Sequence, residues 1–112
     1  MSDDRYRKHN ELANKVLLFI HEHFTGRFWS NATGAVKTEN GHFQRYGLVG
    51  SCDILGFTDQ GRFVGIEIKT GEATLSKQQK LFKKAIIKNN CVHLVITNEY
   101  EDLNLYKGLR RR

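Results

Sequence analysis

Residues 62–71 read RFVGIEIKTG, a segment with the apolar content of a buried strand and two charges, Glu67 and Lys69, inside it. Side chains on a strand alternate between faces. Val64, Ile66 and Ile68 therefore point one way, and Phe63, Gly65, Glu67 and Lys69 the other. The residues just before it explain why a carboxylate and an ammonium share one face. GSCDILGFT, residues 50–58, reads as a second strand, and Asp59-Gln60-Gly61 joins the two. A three-residue loop with its glycine in the left-handed region is a common hairpin closure. It pairs Thr58 with Arg62 and, carried back along the strands, sets Asp53 opposite Glu67 with Cβ atoms about 5 Å apart. The same register places Ser51 opposite Lys69 and Leu55 opposite Gly65. The other face pairs Cys52 with Ile68 and Ile54 with Ile66, an ordinary core arrangement. A two-residue turn at Gln60-Gly61 would put Asp53 on the wrong face.

Two carboxylates set opposite each other repel unless a cation lies between them. Lys69 serves in part, as a structural ion pair. A divalent metal serves better, because hard cations take oxygen ligands from Asp, Glu and backbone carbonyls. Taken alone, the Asp53, Glu67 and Lys69 triad is also what a surface salt bridge on a half-exposed sheet looks like.

Working outward, residues 5–24 predict an amphipathic helix, with Leu12, Val16, Leu17, Ile20 and Phe24 at spacings of three and four. RFWSNAT (27–33) reads as a short strand. AVKTENGHFQRY (35–46) carries Asn40-Gly41, the two-residue hairpin signal, and predicts a polar, exposed hairpin. LSKQQKLFKKAIIKNN (75–90) is helical, with Ser76 as N-cap and Gln79 at the capping-box position. CVHLVIT (91–97) has the length and β-branched content of a buried strand. Asn98, with Glu101 three residues on, predicts a last helix ending in Arg110, Arg111 and Arg112. The order is α-β-(hairpin)-β-β-α-β-α, an α/β sandwich with a mixed central sheet.

At 112 residues the chain fits one domain, and a hydrophobic content of 39% suffices for one core. No apolar run approaches membrane-spanning length, and the charged start MSDDRYRKHN lacks a signal segment, so a cytoplasmic protein is expected. Cys52 and Cys91 are far apart, without a CxxC or CxxH partner, so neither a zinc framework nor a disulfide is expected. Lys and Arg number 18 against 12 Asp and Glu, a formal charge of +6 and a pI near 9.5. That excess favours a polyanionic partner, most simply nucleic acid, although a basic solvated surface has the same composition.

GSCDILGFTDQGRFVGIEIKTGEATLSKQQKLF (50–82) resembles the VRR-NUC branch of the PD-(D/E)xK nuclease superfamily. The family pattern is a glycine-small-Asp strand, a turn with Gly, a Glu-x-Lys strand, and Leu-Ser-x-x-Gln opening a helix. Asp53, Glu67, Lys69 and Gln79 match it in order and spacing, and WSNATGAV (29–36) is similar to the family's Asn-Thr-Gly segment. The resemblance implies a restriction-endonuclease-like fold, α-β-β-β-α-β-α, over a single nuclease domain, residues 1–112. It implies hydrolysis of DNA phosphodiesters with Mg²⁺ or Mn²⁺. Asp53, Glu67 and the Ile68 backbone carbonyl would hold the metal, and Lys69 would orient water or stabilise charge on the phosphate. Small stand-alone members are similar to structure-specific nucleases, including Holliday-junction resolvases acting as homodimers. A homodimer on branched or four-way DNA is therefore expected, with no membrane and no small-molecule cofactor, in a bacterial cell or a phage-infected host. Two alternatives stand beside it: a nicking or degradative nuclease, and an inactive DNA-binding module of the same fold.

Several positions carry more than one reading. The capping box alone explains Gln79, yet its phase matches Phe82 and Ile86 and turns it toward the sheet. Lys77, Lys80 and Lys84 follow helical spacing, and with Lys37, Arg45 and Ser51 they form a candidate track for DNA backbone; a solvated face explains the lysines as well. The family usually carries a Glu in the first helix. Glu11 has that chemistry but projects away from the Leu12–Val16–Ile20 stripe, whereas His9 has the phase without the carboxylate. His21, His23, His42 and His93 form no ligand spacing, and His93 reads as a satisfied core or interface residue.

Overall fold

The computed structural model describes residues 2–112. Helix α1 (Ser2–His23) buries Leu12, Val16 and Ile20 along one stripe, and Phe24 closes it just beyond the helix end. Its first turns carry Asp4 and Glu11 beside Arg7 and Lys8, exposed pairs that contribute a few tenths of a kcal/mol each. The stripe packs on a four-stranded sheet in the order β1 (Arg27–Ser30), β4 (Ile54–Phe57), β5 (Phe63–Ile68), β6 (Val92–Ile96). β5 and β6 run parallel and the other neighbours antiparallel, so the sheet is mixed. The core joins α1 to Ile54, Val64, Ile66, Ile68, Leu94 and Ile96. Each fully buried aliphatic side chain there stabilises the fold by about 1.5–3 kcal/mol.

A parallel neighbour needs a crossover, and α2 (Lys77–Lys88) supplies it between β5 and β6. The Ser76–Gln79 capping box is formed in both directions, as the sequence predicts. Ile86 is buried above Gly65, on the sheet face opposite α1. The protein is therefore mixed α/β, a mixed sheet between two helices. Among the described residues, no helix is long and apolar enough to cross a membrane.

β2 (Gly34–Lys37) and β3 (Phe43–Tyr46) pair only with each other, in a ribbon whose every strand residue is exposed. The exposed hairpin is as expected, but its turn is not the two-residue one. Thr38 N–H donates to the His42 carbonyl at 2.7 Å, so Glu39-Asn40-Gly41 is a three-residue loop. A two-residue turn of the Asn-Gly type requires positive φ at both central residues. Only Gly41 has it, at +82°; Asn40 does not.

Two further expectations are corrected. The strand placed at 50–58 begins at Ile54, because residues 51–53 leave the extended path. The predicted last helix is a single 3-10 turn, Leu103–Leu105, capped by Asp102 rather than Asn98. The tail is tied down elsewhere: Thr25 N–H donates to Arg110 O, Arg112 N–H to His23 O, and Phe24 bridges to Arg111. Buried Tyr106 anchors it, its hydroxyl donating to Tyr100 O at 2.7 Å. Those tertiary ties outweigh the local helix signal of Asn98 and Glu101.

Candidate active site

The register predicted from the Asp59-Gln60-Gly61 loop is the one observed: Leu55 pairs with Gly65 and Ile54 with Ile66. Thr58 N–H donates to Arg62 O and Gly61 N–H to Thr58 O, with Gly61 at φ +81°. The pairing stops one residue short of Asp53, which lies in a bend held by a hydrogen bond from Asn31 N–H to Asp53 O at 2.8 Å. From that bend Asp53 Oδ2 accepts the Ile68 N–H at 2.7 Å, so its carboxylate caps the free end of β5. That contact brings it beside Glu67.

Glu67 is fully buried, on the β5 face away from the α1 core. Its Oε1 accepts from Gln79 Nε2 at 3.2 Å. Gln79 Oε1 in turn accepts from Lys69 Nζ at 2.9 Å and from Ser76 N–H at 2.8 Å. One amide therefore closes the helix cap and ties the carboxylate to the ammonium. Both readings of Gln79, cap and site, hold at once. From the other side, His9 Nε2 donates to the Ile68 carbonyl at 3.1 Å and lies 3.4 Å from Asp53 Oδ2.

Burial, then the Asp53 charge and contact with that carboxylate, push the Glu67 carboxyl up to about 8; Lys69 pulls it down. Glu67 Oε2 is buried without a hydrogen-bond partner. Two neighbouring carboxylates, one with a spare oxygen, and the Ile68 carbonyl make an all-oxygen donor set. It fits a hard divalent cation such as Mg²⁺ or Mn²⁺.

The structure thus brings Asp53, Glu67, Lys69, Gln79, His9 and the Ile68 backbone together. Glu11 stands apart. It is exposed, 3.8 Å from Arg7, and lines a groove with Lys8, Lys15 and the 70–73 loop that excludes Asp53 and Glu67. Ser51 is not free opposite Lys69: its hydroxyl donates to Leu48 O at 2.7 Å and accepts from Asn31 Nδ2 at 2.8 Å. Lys77, Lys80 and Lys84 are exposed along α2. On the ribbon, Ala35 pairs with Arg45 and Lys37 with Phe43, so Lys37, Phe43 and Arg45 share one exposed face.

Cys52 departs from its expected place. It does not pair with Ile68 in the α1 core; its Sγ lies over Gly65, where a Cβ would come within 2.7 Å of it. The bend at Asp53 breaks strict alternation and turns Cys52 to the Glu67 face. There it joins His93, which the parallel β5–β6 register sets beside Gly65. Burial raises the Cys52 thiol well above its ordinary range. Burial and then the nearby Lys83 charge lower the His93 pKa, which keeps the ring neutral. Chain spacing held no sign of this cluster, because its members meet only through the crossover.

Comparison with protein-family models, with curated proteins and with solved structures found no match for this chain.

Proposed function

We propose that the protein is a divalent-metal-dependent DNA endonuclease of the PD-(D/E)xK type, acting as a homodimer on branched DNA such as four-way junctions. The observation that carries this reading is buried Glu67 joined to Lys69 through Gln79, with Asp53 held beside them by the Ile68 N–H at the end of two central strands. Asp53, Glu67 and the Ile68 carbonyl would hold Mg²⁺ or Mn²⁺. When bound, such a cation supplies Lewis-acid polarisation of a phosphate oxygen and acidifies water.

The chain's own groups do the rest. Lys69, held by Gln79, sets a positive charge where the phosphorane gathers negative charge. Gln79 fixes both the Glu67 carboxylate and the Lys69 ammonium, so neither must reorganise during the reaction. His9 fixes the Ile68 carbonyl and lies against Asp53, on the side where the family's helix-one Glu is expected. Lys77, Lys80 and Lys84 on α2, with Lys37 and Arg45 on the ribbon, offer cations to the DNA backbone. Two active sites in a symmetric dimer match the two strands that resolution of a four-way junction must cut.

The test is a cleavage gel with a four-way junction, a flap and a plain duplex, each in Mg²⁺, Mn²⁺ or EDTA. Cleavage of the junction above the duplex, abolished by EDTA, is the expected result. Equal cutting of all three would leave a nicking or degradative nuclease. Binding without cutting in either metal would leave a DNA-binding module.

A further inference from the structure

The cluster of Cys52, Glu67 and His93 lies on the β5 face covered by α2, and it is unlike the oxygen site beside it. One ligand atom from each residue, sulfur, oxygen and nitrogen, lies within 4.8 Å of the other two. Cys52 and Glu67 are fully buried. Both His93 ring nitrogens and Glu67 Oε2 are buried without any hydrogen-bond partner. A buried polar atom left unpaired costs about 1–3 kcal/mol, and here the imidazole and the neighbouring carboxylate of one cluster both carry such atoms.

Gly65 makes room for that place. It stands between Leu55 on β4 and His93 on β6, and a Cβ added to it would meet Cys52 Sγ at 2.7 Å and Ile86 Cδ1 at 2.9 Å. The glycine lets the thiol lie flat over the strand, within reach of the imidazole and the carboxylate. A purely apolar role for Cys52 would not call for two polar neighbours.

We propose that Cys52, Glu67 and His93 form a second metal site, selective for a borderline-soft divalent ion, with Zn²⁺ the best fit. Thiolate, imidazole and carboxylate are the ligands Zn²⁺ takes, at about 2.0–2.3 Å each. Around such an ion the ligand atoms stand about 3–4 Å apart, so a modest contraction closes the set. Mg²⁺ prefers oxygens and retained water, and sulfur discriminates against it. Binding replaces the Cys52 S–H bond by an S–metal bond and releases that proton to solvent, with any proton that Glu67 holds. One thiolate and one carboxylate neutralise the ion, so Lys83, the cation bearing on His93, meets no net positive charge.

The site shares Glu67 with the oxygen donors Asp53 and Ile68, so an ion here competes for that carboxylate. The consequence for cleavage, inhibition by Zn²⁺, rests on the nuclease reading; the site itself does not.

Co²⁺ reports the site directly. Added to the reduced wild-type protein it should give a sulfur-to-cobalt charge-transfer band and strong visible bands of low coordination number, both removed by Zn²⁺. Cys91→Ser should keep the band and Cys52→Ala should abolish it. Asp53→Asn should keep it whether or not the protein is a nuclease. Gly65→Ala alters no ligand and should weaken Co²⁺ binding about tenfold or more. Zn²⁺ titration of the wild type in two buffers of different ionisation enthalpy needs no variant, and should show about one proton or more released per ion. No band in the wild type, a band that survives in Cys52→Ala or disappears in Cys91→Ser, or Zn²⁺ uptake without proton release would each overturn the assignment.

Discussion

Two hairpins in this protein close with the same turn and come to opposite ends. In Thr38-Glu39-Asn40-Gly41-His42 the Thr38 N–H donates to His42 O and Gly41 N–H to Thr38 O, at 2.7 and 3.0 Å. In Thr58-Asp59-Gln60-Gly61-Arg62 the equivalent bonds are 2.8 and 2.9 Å. The glycines sit at φ +82° and +81°. Yet β4–β5 lies in the middle of the sheet, with β5 buried nearly throughout, while β2–β3 is exposed at every strand residue. Local chemistry sets the register of both. Burial is decided by what the strands offer their neighbours: Ile54, Val64, Ile66 and Ile68 have α1 to pack on. The ribbon pairs with no other strand, and its apolar Val36, Phe43 and Tyr46 stay exposed beside Lys37, Gln44 and Arg45. A radius of gyration of 14.9 Å, above the ~13 Å of a compact chain this long, agrees with a ribbon standing off the sheet. Under the proposed function the inner hairpin carries the chemistry and the outer one can only carry contacts.

The sharpest test of that division lies on the inner hairpin. Asp53→Asn or Glu67→Gln should lower cleavage about a thousandfold or more, since metal-based charge stabilisation is worth several kcal/mol. DNA affinity should hold or rise, because each change removes negative charge near phosphate. His9→Ala should cost about tenfold through the loosened Ile68 carbonyl, and Glu11→Ala should cost little. Near-normal cleavage by either carboxamide variant would remove the site from β4–β5.

A pair of glycine substitutions compares the hairpins directly. A Cβ at Gly41 or at Gly61 would meet nothing within 4 Å, so Gly→Ala at either position adds only backbone strain. That strain is about 1–2 kcal/mol in the left-handed region. At Gly61 it bears on the cooperative core, and Tm should fall by roughly 4–10 °C. At Gly41 it stays within the ribbon, and Tm should move by less than about 2 °C. Equal losses would mean that the ribbon melts with the sheet.

A smaller effect separates the hairpins by pH. In metal-free protein Glu67 keeps its proton from its ordinary 4.5 up to about 8, while the unfolded chain has lost it. The native state binds more protons across that window, so this group's contribution is fully present below the window and is lost as pH rises through it. Thermal melts in EDTA should show wild-type stability declining relative to Glu67→Gln between these limits. A flat difference would show that Asp53 and burial do not hold the proton on Glu67.

How much of this was legible beforehand depends on whether a feature is local. The 54–66 register follows from one loop, and the Ser76–Gln79 box from four residues, so both could be read from the chain. Helix phase leans toward His9 over Glu11 while chemistry leans the other way, and it is His9 that lies beside Asp53. What failed was set at a distance. The C-terminal helix signal lost to ties with Thr25 and His23, which no local pattern announces. Alternation carried through Asp53 predicts the wrong face for Cys52, because the chain bends there to cap Ile68. The Cys52, Glu67 and His93 cluster needs a parallel register that only the folded crossover sets.

The smallest effect tests whether the outer hairpin belongs to the DNA footprint at all. Lys37 and Arg45 lie on one ribbon face beside Phe43, which is 74% exposed, while Lys80 and Lys84 lie along α2. If each cation meets one phosphate, removing it lowers the slope of log K against log salt by about 0.9 on duplex arms. Lys37→Ala with Arg45→Ala should therefore flatten the slope by nearly two units, and Lys80→Ala with Lys84→Ala by a similar amount. Phe43→Ala should behave differently. If that ring stacks on a base at a branch point, its loss should weaken junction binding by about 1–3 kcal/mol while leaving the slope intact. Because every strand residue of the ribbon is exposed, and so are Lys80 and Lys84 on α2, none of these changes should move Tm appreciably. A slope that falls for the α2 pair but not for the ribbon pair would confine DNA to the helix side, and the outer hairpin would then be free for a partner other than DNA.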